Sequence, residues 1–146
     1  KIYKINLDVS NIVDLFNEGI SSEGIGWKKN NVDKNLILDG YFSSILLKIE
    51  GDKCHKNSKI KISVHKYYKN QIEPINIDIT INRNKKKEVI IRDAINNQLV
   101  MNFDCKINSK NIIEFNVENP KSLYDLKKGL NRQKKSIILD SLTIEG

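Results

Sequence analysis

The sequence predicts an all-β fold, an antiparallel β-sandwich, and three observations predict it. Aliphatic residues alternate with polar ones in one short run after another, most cleanly at Ile75 to Ile81, where every second residue is isoleucine. Polar, Asn-rich or Gly-rich stretches separate these runs, and roughly nine strands punctuated in this way read as a sandwich or barrel. Helical spacing is confined to Ser122 to Leu130, through Leu123, Leu126 and Leu130.

Taken in order, Lys1 to Asp8 puts Tyr3, Ile5 and Leu7 on one face, the period of a strand. Ile12 to Phe16 fits a short strand or a single helical turn capped by Asn11. Asn17 to Gly26 is rich in Gly and Ser and predicts a loop. Leu36 and Leu38, the dipeptide Asp39-Gly40, and Ser43 to Glu50 with Ile45, Leu47 and Ile49 read as a hairpin. Strands follow at Ile60 to Val64, Ile75 to Ile81, Val89 to Ile91, Leu99 to Cys105 and Ile113 to Val117. In the last run, Ile137 and Leu139 share one parity while Leu142 and Ile144 share the other. A bulge at Asp140-Ser141 reconciles them. Ser122 is a cap for the one helical segment, which Gly129 stops early.

At 146 residues the chain is one domain, 1–146, long enough to close a single core. It opens on Lys1, not Met, which predicts a piece cut from a longer protein or a processed one. No window approaches the roughly 20 apolar residues of a membrane span. The formal net charge is +7, which suits an anionic partner or simply a solvated lysine surface. Arginine is scarce (Arg83, Arg92, Arg132). Sequence-specific nucleic-acid reading favours its bidentate fork, so no specific nucleic acid is expected as a partner. The basic clusters Lys85 to Lys87, Lys127-Lys128 and Lys134-Lys135 are expected in turns or loops. Two cysteines are too few for a disulfide scaffold. Cys105 is in phase with Leu99, Met101 and Phe103 and is expected inside. Cys54 lies in the polar loop Gly51 to Ser58, so no bridge between the two is expected.

Catalytic signatures are absent. His55 and His65 sit in no nucleophile–base motif, no nucleophile elbow exists, and Gly24-Ile25-Gly26 lacks the third glycine of a phosphate loop. Cys54-His55 is not a zinc spacing. The sequence therefore points away from an enzyme and implies neither cofactor nor metal.

Two motifs carry a family resemblance. Near the C-terminal end stand Asn119-Pro120, Ser122, Leu126 and Arg132, then Ile137, Leu139, Leu142 and Ile144. Earlier stand Gly19-Ile20-Ser21, Glu23, Gly26 and Trp27. Together they resemble the jelly-roll-like β-sandwich domain fused to bacterial cell-envelope glycosyltransferases and phosphoglycerol-transferase-like membrane proteins. Leu123 stands where that family has a second proline, Asn131 where an aspartate is usual, and Ser136 in place of a glycine. The resemblance implies a jelly-roll sandwich shaped like a carbohydrate-binding module and lacking catalysis. Such a domain would hold a glycan, acidic ones included, near a catalytic domain elsewhere in the polypeptide. The alternative is a structural or protein-interaction domain with no sugar ligand.

The candidate ligand-binding residues are Glu23, Trp27, Tyr124, Asn131 and Arg132. Trp27 is either a flat platform for a sugar ring or a plug in the core. Glu23 and Arg132 either contact a ligand or pair with each other, tying the early loop to the segment before the last strand. Tyr124 is a second stacking residue or a packing one.

Overall fold

The computed structural model describes residues 2–4, 15–17, 20–30, 35–49, 54–69, 71–92, 97–107 and 109–145. In chain order its strands are β1 (Ile2–Lys4), β2 (Leu15–Asn17), β3 (Ile20–Ile25), β4 (Trp27–Asn30), β5 (Asn35–Asp39) and β6 (Phe42–Ile49). Then come β7 (Ser58–Lys66), β8 (Ile75–Ile81), β9 (Asn84–Ile91), β10 (Asn97–Phe103), β11 (Lys110–Val117) and β12 (Lys135–Glu145). No helix occurs among the described residues. One antiparallel sheet runs β10-β7-β12-β5-β4, with β1 also on β12; the other runs β2-β3-β6-β11-β8-β9. The fold is the jelly-roll-like β-sandwich that the sequence predicts.

Alternation decides which faces meet. Ile60, Ile62 and Val64 of β7 are buried while Lys59 and Lys61 between them are exposed, and β8 buries Ile75, Ile77, Ile79 and Ile81 from the opposite sheet. Phe115, Leu36, Leu38, Ile45, Leu47 and Leu139 fill the space between. Removing such aliphatic surface from water contributes roughly 25 cal/mol per Å², which favours two layers over any open sheet.

β12 holds the first sheet together. Its first half pairs with β5 and its second with β1, while β7 runs along its other edge. Opposite β7, Leu139 faces Val64 and Ser141 faces Ser63, so Asp140 is one residue too many and the ladder bulges there, as the parity switch predicts. The bulged Asp140 meets His65 Nδ1 at 2.6 Å and accepts from Asn35 Nδ2 at 3.2 Å.

Several expectations are corrected. Ile20–Ile25 is a strand, not part of a loop, because its backbone finds a full ladder on β6, from Ile20 opposite Ile49 to Ile25 opposite Ser44. Asp39-Gly40 does not close a hairpin. β5 and β6 belong to different sheets, and Gly40, at φ 91°, turns the chain across the sandwich with its N–H on Lys134 O. Lys85 to Lys87 lie within β9, not a turn; the tight turn is Asn82-Arg83, both at positive φ. Ile5 to Asp8 and Ile12 to Asp14 lie outside the described residues.

The cysteine reading is also corrected. Cys54 is buried and forms a disulfide with Cys105, their Cα atoms 5.3 Å apart. The polar loop folds inward because Cys105 N–H donates to His55 O and Ser58 Oγ accepts from His55 N. The fully buried Asn111 completes the knot. Its Oδ1 accepts from Lys106 N, and its Nδ2 faces Lys106 O and Leu47 O.

Candidate functional site

One rim of the sandwich gathers the loop after β7 and the long segment before β12. Lys66, the last residue of β7, is buried, and its Nζ donates to Gln71 O at 3.1 Å and Glu73 O at 3.3 Å. The loop therefore wraps around a cation and satisfies it with carbonyls. Tyr67 N–H donates to Ser136 O, pinning the loop to β12. The rings of Tyr67 and Tyr68 meet edge to face, 4.7 Å apart, and Lys135 Nζ lies 5.0 Å from the Tyr67 ring centre. Gln71 is buried, and its Nε2 donates to Glu73 O at 3.3 Å. That bond fixes which amide atom is nitrogen, since a carbonyl only accepts. Gln71 Oε1 is then buried without a protein partner.

The opposite wall is a single turn closed at both ends. Ser122 Oγ accepts from Asp125 N, and Asp125 Oδ2 accepts from Ser122 N and Oγ, a reciprocal cap. At the other end Lys128 N–H reaches Leu123 O, Lys127 N–H reaches Tyr124 O, and Lys127 takes φ 57°. This is the Schellman arrangement, with lysine where glycine is usual. The helical spacing of Ser122 to Leu130 thus yields only a turn, and Lys127, not Gly129, stops it. Lys134 Nζ also binds Asp125 Oδ2. That contact, with the two from Ser122, pushes the Asp125 carboxyl down to about 2. Burial raises the Tyr68 hydroxyl above its ordinary range, with Tyr67 and Asp125 adding to the effect.

Between the walls lies a cleft of about 440 Å³, faced by Tyr67, Tyr68, Gln71 and Ile72 on one side and by Lys121, Asp125 and Leu126 on the other. Lys121 Nζ meets Glu73 Oε2 at 3.4 Å across it. A second hollow of about 620 Å³ adjoins it, lined by Tyr124, Asp125, Lys127, Gly129 and Leu130, so Asp125 belongs to both.

The residues singled out from sequence divide as follows. Tyr124, Asn131 and Arg132 come together at this rim: Tyr124 N–H donates to Asn131 O, and the Arg132 guanidinium lies 4.1 Å over the Tyr124 ring. Trp27 lies toward the same end. Gly26 O accepts from Asp39 N, and the adjoining Gly40 N–H reaches Lys134 O. Its indole packs edge-on against Phe115 at 5.3 Å, and Nε1–H donates to Ser44 O at 3.0 Å. Glu23 lies in β3 opposite Leu46 and is described by its backbone alone, so its pairing with Arg132 falls outside the described residues. Sequence reasoning missed Tyr67, Tyr68, Gln71 and Asp125. The signals present were the paired aromatics directly after a strand and the Ser122-x-x-Asp125 spacing of a cap. Among the described residues no group of three or more His, Cys, Asp or Glu could hold a metal, and no helix is long and apolar enough to cross a membrane.

No family model matches the chain, and no curated protein does. Solved structures do. The xylan-binding module CBM15 superposes with a TM-score of 0.55 at 10% identity, over 99% of this chain and 95% of that one. A family 35 carbohydrate-binding module from Clostridium thermocellum gives 0.50 at 12% identity, over 84% and 90%. The likeness is one of fold. An acetyl xylan esterase from the rumen bacterium Butyrivibrio proteoclasticus gives 0.53 at 8% identity; all of this chain corresponds to only 32% of that enzyme. The sandwich is thus built like nearly the whole of two solved carbohydrate-binding modules and like one portion of a larger enzyme.

Proposed function

We propose that this chain is a non-catalytic glycan-binding accessory domain whose ligand occupies the rim cleft. The cleft itself carries the reading: it is walled by Tyr67, Tyr68 and Gln71, with Tyr124 and Arg132 on the adjoining part of the rim. A sugar ring brings hydroxyl donors around its edge and C–H patches on its faces, and the Tyr67 and Tyr68 rings offer matching flat apolar surface. Tyr124, Asn131 and Arg132 extend the same rim. The fold shared with CBM15 supports this reading.

The resemblance to domains of envelope glycosyltransferases supplies the setting: a catalytic domain elsewhere in a longer polypeptide, with this domain holding its glycan nearby. Such a role requires a Kd only in the millimolar to micromolar range, about −4 to −8 kcal/mol, because tethering raises the effective concentration. The test is a glycan panel covering xylans, mannans and neutral and acidic bacterial envelope polysaccharides, with amide shifts mapped on labelled protein. Binding that moves the Tyr68 and Gln71 resonances upholds the reading. Silence across the panel at millimolar sugar sinks it.

A second reading rests on Ile72, 95% exposed, and Leu130, 88% exposed, at the same rim. Apolar side chains so placed suit a protein partner in a structural or interaction domain without sugar. Sedimentation with and without the neighbouring domains of the parent polypeptide separates the two.

A further inference from the structure

Cations crowd the rim cleft. Lys69, Lys121 and Lys128 line it, and Lys127 lines the adjoining hollow. Arg132 lies 4.1 Å over the Tyr124 ring, and Lys135 Nζ lies 5.0 Å from the Tyr67 ring centre. The two carboxylates in the cleft wall, Asp125 and Glu73, are both engaged. Asp125 Oδ2 holds Lys134 Nζ and accepts from Ser122 N and Oγ, and Glu73 Oε2 meets Lys121 Nζ at 3.4 Å. Among the described residues no carboxylate pairs with Lys69, Lys127 or Lys128. Glu73 is anchored by its backbone, since its carbonyl accepts from Lys66 Nζ and Gln71 Nε2, while its side chain is 70% exposed. An ion pair so open to water is weak and exchanges readily. Resting on the glycan-binding reading, we propose that the cleft takes an acidic sugar unit, a uronate or a sugar phosphate, whose anionic group replaces the Glu73 carboxylate on Lys121 while its ring lies against Tyr67 and Tyr68. Lys69 and Lys128 in the same walls add to the attraction, because Coulomb energy falls only as the inverse of distance. A neutral unit leaves the Lys121–Glu73 pair in place and gains the ring contact alone. The tyrosines set the site apart from a bare anion patch, since an inorganic anion brings no C–H face to them.

The experiment titrates labelled protein with two trios whose members differ only at C6: glucose, glucuronate and glucose 6-phosphate, and galactose, galacturonate and galactose 6-phosphate. The expected result is an acidic member that binds about tenfold or more tighter than its neutral parent, with shifts at Tyr68 and Lys121. That advantage should shrink as salt rises. The tighter of uronate and phosphate names the anion. Glu73→Gln keeps the carbonyl contacts of the loop and should raise affinity for the acidic member about threefold. Lys121→Gln should lower it about tenfold. Equal binding across both trios overturns the proposal while leaving glycan binding intact. Weaker acidic-sugar binding by Glu73→Gln overturns it too, since the carboxylate would then be a ligand contact. Inorganic phosphate or single-stranded DNA that displaces the acidic sugar as well as the sugar itself does would reduce the site to a general anion patch and overturn it. Silence in both trios at millimolar sugar overturns it, and a silent polysaccharide panel would then show that the glycan reading itself had failed.

Discussion

Cys54 and Cys105, 51 residues apart in the chain, are joined by a disulfide that fastens the loop before β7 to the segment after β10. Cross-linking over such a separation constrains the unfolded chain by about 4 kcal/mol in the loop-entropy model. Reduction, or the double change of both cysteines to serine, should therefore lower the Tm by roughly 10 °C. A melting curve indifferent to reductant would contradict the bridge.

Gly26 marks the corner where the chain leaves β3 for β4 in the other sheet. It has φ 77°, and a Cβ there would sit 2.5 Å from Phe42 O and 2.9 Å from Ser43 Cα. Both obstacles are backbone, so Gly26→Ala should cost more than about 2 kcal/mol, readable by urea denaturation. Gly40 also has positive φ but open space around it, and Gly40→Ala should cost less.

Lys127 occupies a left-handed position that glycine adopts freely. Lys127→Gly should raise stability by about 0.5–1 kcal/mol, whereas Lys127→Ala should bring no gain. A destabilised glycine variant would mean that the turn does not depend on this conformation.

The Asp125 clamp has a definite pH window. Its folded carboxyl lies at about 2, below the ordinary 3.8, so it favours the folded turn above the ordinary value. That contribution is lost as pH falls through the folded value. The Ser122 amide resonance should hold steady from neutrality to about pH 4 and move only below it. Lys134→Met removes the largest cause and should shift the midpoint upward toward 3.8. A midpoint unmoved by that change would assign the effect to Ser122 alone.

Arg132 lies exposed over Tyr124, a contact worth about 0.5–1 kcal/mol at such a site. Arg132→Ala should lower the Tm by only a few degrees while weakening glycan binding. A loss of order 3–5 kcal/mol would instead reveal a desolvated pair with Glu23.

Much of the fold was legible because burial on one face imposes a period of two that a reader can see. Ile75 to Ile81, Ile60 to Val64 and the parity switch at Asp140 all show it. β3 was not legible: its short, polar, glycine-bearing sequence takes its strand character from the ladder on β6, a partner distant in sequence. Asp39-Gly40 misled for a related reason, since the same dipeptide serves a hairpin and a crossing between layers. The disulfide needed two loops to fold beside each other, which composition does not encode. At the rim, Tyr124, Asn131 and Arg132 could be singled out from their motif. Gln71 could not, because an amide becomes an unpaired acceptor only after Lys66 and Glu73 have fixed the loop around it.

The first and last described strands close this fold side by side, with Ile2 directly opposite Glu145. Both ends of the sandwich thus leave from one spot, only about 5 Å apart across an antiparallel ladder. A host polypeptide can accommodate such a unit within a single surface loop, the two connections entering and leaving together. The same adjacency makes the sandwich a natural subject for circular permutation through a short linker.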